Sequence, residues 1–164
     1  MPATGDFLPL LSLHCSSGGF RNPLVTTTSQ PDFTPLGRAI ARLEAGLEHA
    51  STIPNDDLLR DGVIQRFEFT YELCWKLLLR HLESISPDPE ALDGISFPGL
   101  IRTGTEKGLL RSGIEVWKEF RRARGMTSHL YDHEKSLEVF SLVPAFLEEA
   151  RFLLKRLDEE ATGE

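Results

Sequence analysis

The feature that most constrains this chain is a long apolar stripe with helical spacing near its centre. Between residues 56 and 83 apolar side chains recur every three or four positions, which places them on one face of a single long helix. They are Leu59, Val63, Phe67, Tyr71, Cys74, Leu78 and Leu82. Such a stripe requires other helices to cover it. The segment Ser86-Pro87-Asp88-Pro89 ends the helix, because proline lacks a backbone donor and disfavours helical geometry in the residue before it.

Further helices are indicated on both sides of this segment. The spacing predicts helices over residues 36–49, from the cap Ser96 to Gly108, from near Ile114, and over residues 133–157. Ser112-Gly113-Ile114-Glu115 has the pattern of a capping box, and Pro144 is expected to kink or restart the last helix. Strand-like alternation is absent. The sequence therefore predicts an all-α fold, an antiparallel bundle of four or five helices.

The composition divides the chain into three stretches. Residues 1–35 are rich in proline, serine, threonine and glycine without a helical period, which indicates a flexible N-terminal arm. Residues 36–158 form the predicted bundle, and residues 159–164 are interpreted as an acidic tail. A chain of 164 residues is long enough for one domain with its own core.

Charge and hydropathy limit the kinds of partner that this chain can have. The net charge of −7 and the pI near 5.3 argue against general coating of nucleic acid, which depends on many Lys and Arg contacts to phosphate. Any contact with RNA must therefore be local, and no DNA partner is expected. The early apolar run, residues 7–13, is too short to span a bilayer and follows no basic region, and the two cysteines suggest no disulfide framework. We expect a cytoplasmic protein without a membrane partner.

The chemically richest stretch is residues 124–131, which hold Arg124, His129 and Tyr131. An arginine can bind anionic oxygens with a planar fork, and a histidine that titrates near neutrality can transfer a proton. On an ideal helix Arg124 and Tyr131 lie within about 20° of one face, whereas Arg124 and His129 differ by about 140°. Both can act on one phosphate only if the helix bends near Gly125 or a second subunit completes the site. A two-fold dimer would bring two histidines and two arginines to one cleft.

Simpler interpretations stay open for each of these residues. A surface arginine followed by a capping histidine would produce the same pattern, and nearby Arg121 and Arg122 fit a solvated face as well as an RNA contact. Glu68 and Glu72 could form the acid half of a carboxylate pair, but ion pairing with Arg66 or Lys76 on their own helix is the commoner arrangement. His129 and His133 have a metal-ligand spacing without an evident third ligand, so neither a metal nor another cofactor is predicted.

Several segments together carry a resemblance to a known family. They are Ile64-Gln65-Arg66-Phe67-Glu68-Phe69-Thr70-Tyr71-Glu72-Leu73, Trp75-Lys76, Gly108-Leu109-Leu110, Trp117, Arg124 and Ser128-His129-Leu130-Tyr131-Asp132. In this order they cover roughly residues 36–157. The chain resembles the HEPN superfamily, specifically its nucleotidyltransferase substrate-binding branch.

The resemblance implies a helical-bundle protein, usually a homodimer, that is encoded beside a minimal nucleotidyltransferase and binds it. Many such pairs resemble toxin and antitoxin, with the HEPN member a metal-independent endoribonuclease. By this analogy Arg124 and His129 match the catalytic pair, and Tyr131 matches the tyrosine that the partner adenylylates in some pairs. Arg121, Arg122 and Ser128 are candidate contacts for RNA or phosphate. The alternative is a noncatalytic substrate-binding subunit of the nucleotidyltransferase.

One position departs from the family pattern. Gly125 follows the motif arginine, where the family usually has a polar residue, often asparagine. Glycine keeps the backbone pliable but supplies no side-chain hydrogen bond to a substrate.

Overall fold

Five α-helices make up the fold. The structure, a computed structural model, describes residues 31–129 and 131–163, apart from the side chain of His129. The helices are α1 (Thr34–Thr52), α2 (Asp57–Ile85), α3 (Phe97–Glu106), α4 (Ile114–Met126) and α5 (His133–Thr162), with short 3₁₀ turns at Pro89–Leu92 and Thr127–His129. No strand occurs within the described ranges, and the all-α prediction is confirmed.

Contacts between side chains give the directions of the four long helices. The rings of Phe33, before α1, and His81, near the end of α2, lie 5.9 Å apart, so α1 and α2 are antiparallel. Arg122 of α4 pairs with Glu138 of α5. Ser112, before α4, bonds Glu149 further along α5, so α4 and α5 are also antiparallel. The result is the predicted antiparallel bundle, with α3 in the connection between α2 and α4.

An aromatic cluster occupies the centre of the bundle. Its five rings belong to Phe67 and Tyr71 of α2, Trp117 and Phe120 of α4, and Phe146 of α5, all at most 5 % exposed. Phe146 meets Phe67 with the ring planes at 90° and centroids 4.9 Å apart, and it meets Phe120 at 77° and 5.4 Å. Edge-to-face pairs of this kind are the favoured arrangement of aromatic rings. The cluster therefore fixes α4 against α2 and α5.

Local signals set most helix starts. The Asp56 carboxylate accepts the amide of Leu59 at 3.0 Å and begins α2, and Ser96 caps α3 as predicted. The predicted capping box is wrong: Gly113 is the cap of α4, with no side-chain bond. Ser112 instead donates its hydroxyl and its amide to the buried carboxylate of Glu149, at 2.5 and 3.2 Å. A buried carboxylate requires donors, and Ser112 supplies them.

The last helix is longer than the sequence indicated. Pro144 lies inside one continuous helix that extends to Thr162 rather than to residue 157. Residues 159–162, expected in an acidic tail, form its last turn because Glu160 accepts a hydrogen bond from the buried His81 at 2.7 Å. Gly163 then ends the helix in the left-handed conformation, with φ of 73°.

The N-terminal boundary also differs from the expectation. Phe33 is buried and helix α1 begins at Thr34, so the end of the expected 1–35 arm belongs to the bundle. Residues 1–30, including the early apolar run and Cys15, lie outside the described residues. None of the helices in the described part of the chain combines the length and the apolar character needed to cross a membrane.

Truncating the centre of the aromatic cluster tests this account of the core. Phe146→Ala should lower the free energy of unfolding by about 3–5 kcal/mol, because it removes a buried ring and leaves a cavity among four others. Urea denaturation followed by circular dichroism measures the change. Leu58, which is 82 % exposed, provides the control, and Leu58→Ala should stay within about 0.5 kcal/mol of the parent. Equal costs for the two variants would contradict the assignment of the core.

Candidate functional site

Arg124 lies in the last turn of α4 and is held by two carboxylates of α2. Its Nε lies 3.0 Å from Oε1 of Glu72, and its Nη2 lies 3.0 Å from Oε1 of Glu68. Glu68 and Glu72 are four residues apart, which places both on the side of α2 that faces α4. The expected pairing within α2 holds only in part. Lys76 lies 3.9 Å from Glu72, but Arg124 is the closer partner, and the guanidinium of Arg66 turns toward α1.

These contacts set the charge state of Glu72. Its burial raises the pKa of the carboxyl, but hydrogen bonds from Arg124 and from the indole N–H of Trp75 outweigh that effect, so the pKa lies below its ordinary value. Glu72 is therefore ionised at neutral pH. A guanidinium has donors on three nitrogens, and contacts through Nε and Nη2 leave capacity for an anionic ligand.

A cleft of about 470 Å³ opens beside Arg124. Its lining includes Tyr71, Glu72, Trp75, Phe97, Arg121 and Arg124. The guanidinium of Arg121 lies over the ring of Phe97, 4.5 Å from its centroid, in a cation–π contact. Burial raises the pKa of Tyr71 to about 12, so its phenol is protonated at neutral pH and can donate a hydrogen bond. Guanidinium groups beside aromatic faces suit a phosphate attached to a planar base.

The structure places the other candidate contacts in different positions. Arg121 lines the cleft with Arg124, whereas Arg122 contacts Glu119 at 3.0 Å and Glu138 at 2.5 Å. Hydrogen bonds to these carboxylates raise the pKa of Arg122. Consecutive helical residues point about 100° apart, which is why the two arginines separate. The hydroxyl of Ser128 donates to the carbonyl oxygen of Gly125 at 3.4 Å, within the 3₁₀ turn.

Helix α4 is continuous through Gly125. Gly125 does not have a positive φ, and a Cβ built on it would meet no atom within 4 Å. The polar residue that the family usually has would therefore fit here without steric conflict. The α-helix ends at Met126, and the 3₁₀ turn that follows carries the backbone of His129. The side chain of His129 lies outside the described part of the structure.

A buried arginine that the sequence did not single out anchors the segment after the motif. Arg60, 7 % exposed, donates through Nε to the hydroxyl of Ser136 and through Nη2 to Asp57, each at 2.5 Å. The same Nη2 lies 3.1 Å from Nδ1 of His133. These bonds tie the start of α2 to the start of α5. Tyr131, two residues before α5, has 86 % of its surface exposed.

Three residues of the cleft wall could not be assigned to the site from the sequence. Tyr71 belongs to the apolar stripe of α2, and Trp75 stands among aromatic residues in the sequence, which favours a core position for both. Both nevertheless line the cleft. Phe97 at the start of α3 carried no signal, because only the fold brings α3 next to Arg121. Within the described residues, no group of three or more His, Cys, Asp or Glu side chains is placed to hold a metal ion.

The fold is the helical bundle of a known protein family. A family model described as "nucleotidyltransferase substrate binding protein like" matches residues 31–159. The chain therefore belongs to the nucleotidyltransferase substrate-binding family of the HEPN superfamily.

Individual relatives agree with this assignment. A Haemophilus influenzae protein named "Probable ribonuclease HepT" is 36 % identical over 101 residues, which cover 62 % of this chain and 68 % of the relative. A solved Haemophilus influenzae structure, described as the fold of a substrate-binding domain of a nucleotidyltransferase, matches with a TM-score of 0.73 at 31 % identity, over 77 % of this chain and 99 % of that one. A Thermus thermophilus protein matches with a TM-score of 0.60 at 32 % identity, over 74 % of this chain and 98 % of that one.

Removing Arg124 should raise the pKa of Glu72. In Arg124→Ala the burial that raises this pKa remains, while the strongest opposing hydrogen bond is lost. Carbon-detected NMR titration of the Glu72 carboxyl measures the change. Because the pKa in the folded parent is depressed, the stability contributed by the pair is present at neutral pH and is lost as the pH falls through that value.

A matched substitution on the same helix controls this experiment. Arg122→Ala removes a guanidinium that pairs with Glu119 and Glu138 instead, so the pKa of Glu72 should stay at its parental value. An unchanged titration of Glu72 in Arg124→Ala would show that the two side chains do not pair in solution.

Proposed function

We propose that this chain is a metal-independent endoribonuclease of the toxin-like HEPN type, with Arg124 and His129 as its catalytic residues. The observation that carries the proposal is the position of Arg124, which projects beside Arg121 into an aromatic-lined cleft directly before the turn that carries His129. The similarity to a protein named as a probable ribonuclease supports it.

The reaction needs two proton transfers and one cation. A base takes the proton of a ribose 2′-hydroxyl, whose oxygen attacks the adjacent phosphorus, and an acid protonates the departing 5′-oxygen. The products are a 2′,3′-cyclic phosphate and a 5′-hydroxyl. Imidazole groups near neutrality can serve as base and acid, and the Arg124 guanidinium stabilises the negative charge of the phosphorane. No metal takes part in these steps.

The positions of the two motif residues favour a homodimeric site. Helix α4 is regular through Gly125, and a 3₁₀ turn advances about 120° per residue, so the backbone position of His129 does not return to the Arg124 face. In a two-fold dimer, Arg124 of one protomer and His129 of its partner can meet at one phosphate. The pair of histidines then supplies both the acid and the base.

The proposed partner is a minimal nucleotidyltransferase that acts as the antitoxin. The match to the nucleotidyltransferase substrate-binding family supports this pairing. Tyr131 is the proposed acceptor: its phenolic oxygen attacks the α-phosphorus of ATP and pyrophosphate leaves. Its 86 % exposure would let a second enzyme reach it. The added AMP brings bulk and a negative charge next to the motif, which would repel RNA.

A second function is favoured by the contacts of Arg124 itself. In the single chain its guanidinium is already balanced by the carboxylates of Glu68 and Glu72. Under this alternative the chain is a noncatalytic subunit of the nucleotidyltransferase. Its cleft would bind a nucleotide or another substrate for the partner enzyme, and no RNA would be cleaved.

The ribonuclease proposal predicts a loss of cleavage in two variants. Arg124→Ala and His129→Ala should each lower the cleavage rate of single-stranded RNA by about 100-fold or more, since each removes a group that acts on the reacting phosphate. Gel analysis of end-labelled RNA in the presence of EDTA measures the rate. Arg122→Ala, a neighbouring surface arginine, is the control and should retain cleavage. Absence of cleavage by the parent protein would favour the noncatalytic subunit.

Modification should be specific to Tyr131. Incubation with the partner nucleotidyltransferase and ATP should increase the intact mass by one or more AMP units, and peptide mapping should locate them on Tyr131. Tyr131→Phe should remove the modification and keep RNA cleavage, because it lacks only the acceptor oxygen. Modification of Tyr71, the other tyrosine, would contradict the assignment, as would a modified protein that still cleaves at the parental rate.

A further inference from the structure

A second groove, larger than the Arg124 cleft, lies between α1 and α2. Its volume is about 750 Å³, and its wall includes Arg38 and Arg42 of α1 and Gln65, Arg66 and Phe69 of α2. Small residues, among them Ala39 and Gly62, leave the space between the two helices open. The groove therefore presents three guanidinium groups to solvent in a chain of net charge −7.

None of the three groove arginines lies within 4.0 Å of a carboxylate in the described part of the chain. Arg60, Arg122, Arg124, Arg151 and Arg156 do have such a partner, whereas Arg80, Arg102, Arg111 and Arg121, like the groove arginines, do not. Arg38 affects the pKa of Asp32, but that carboxylate accepts the amide of Thr34. Arg38 and Arg42 are also four residues apart on one helix, a spacing at which like charges repel. An anionic ligand would relieve this repulsion.

Arg66 is already oriented for such a ligand. Its Nη1 donates to the carbonyl oxygen of Arg42 across the helix pair, at 2.9 Å. Gly46 makes this position available, because a Cβ there would lie 2.6 Å from the same nitrogen. A guanidinium held in place loses less conformational freedom when it binds a phosphate, and its planar fork matches phosphate oxygens.

An aromatic ring stands at the edge of the same groove. Phe69 is 60 % exposed, which is unusual for a phenylalanine in the middle of a packed helix. It directly follows Glu68, whose carboxylate contacts Arg124. Phe69 therefore lines the groove one residue after a carboxylate that contacts the proposed catalytic arginine.

We infer that the α1–α2 groove binds the phosphodiester backbone of single-stranded RNA, with a base stacked on Phe69. Arginines that track phosphates beside an exposed aromatic ring are the combination that single-stranded nucleic acids require. An acidic peptide would use the guanidinium groups but would leave the exposed ring without a role. The identification of RNA as the ligand rests on the proposed ribonuclease function, while the groove itself can bind RNA without cleaving it.

Fluorescence anisotropy with a labelled 2′-O-methyl RNA tests the inference on the full chain. This probe lacks the attacking hydroxyl, so it reports binding without cleavage. Arg38→Glu combined with Arg42→Glu should weaken binding by about tenfold or more. The slope of log affinity against log salt should become shallower by about 0.7 for each phosphate that the variant no longer neutralises. Phe69→Ala should weaken binding by about tenfold and Phe69→Trp should restore it, because a base stacks on either aromatic ring.

Arg80→Glu combined with Arg111→Glu is the matched control. Both arginines are exposed and lie outside the groove, and the change in net charge is the same. Equal affinities for the groove variant and this control would overturn the inference. So would a groove variant that binds RNA like the parent and loses only the nucleotidyltransferase, since the groove would then bind protein. Groove-dependent binding without cleavage of unmodified RNA would support the groove and contradict the proposed catalysis.

Discussion

The burial of α2 is the constraint on which the rest of the structure depends. Its apolar stripe is covered by α1, α4 and α5, and Phe67 and Tyr71 enter the central aromatic cluster. Because the apolar face of α2 is buried in the core, the polar residues beside that face lie where α2 meets its neighbouring helices. Arg60 bonds the start of α5, Glu68 and Glu72 bond α4, and Arg66 bonds α1.

The proposed RNA contacts have to overcome the acidity of the whole chain. The net charge of −7 would repel RNA at long range, so the proposed binding depends on local guanidinium groups. Two sites of different character supply such groups. At the cleft the guanidinium of Arg124 is oriented by two carboxylates, which gives precise geometry and little excess charge. At the α1–α2 groove the guanidinium groups have no carboxylate among the described residues, which gives excess charge.

The sequence predicted the features that depend on neighbouring residues and missed those that depend on distant ones. Helical spacing, proline stops and the cap at Ser96 are local, and they predicted the five helices to within a few residues, apart from the end of α5. The capping box failed because Ser112 bonds Glu149, which is 37 residues away. Glu68 and Glu72 were assigned to α2 partners for the same reason: Arg124 is 52 residues from Glu72.

The candidate functional site shows the same division between features set by neighbouring residues and features set by distant ones. Arg124 and Tyr131 could be selected by motif and family resemblance, but the cleft around Arg124 is built from three separate segments and has no sequence signature. The cation–π contact of Arg121 with Phe97 and the groove between Arg42 and Arg66 follow only from the packing of helices. The burial of Arg60 had one weak signal, a charged residue between the apolar positions Leu59 and Val63.

The carboxylates that hold Arg124 act on its geometry more than on its charge. Full separation of the guanidinium from Glu68 and Glu72 would leave partly buried ions without partners, which is costly. Under the proposed function, a phosphate would therefore bind to the donors that the carboxylates leave unused, while Nε and Nη2 stay in place. In the proposed ribonuclease, the phosphate bound to Arg124 must then be reached by a histidine that lies outside the same face of α4. The proposed two-fold dimer would meet that requirement without distorting the helix.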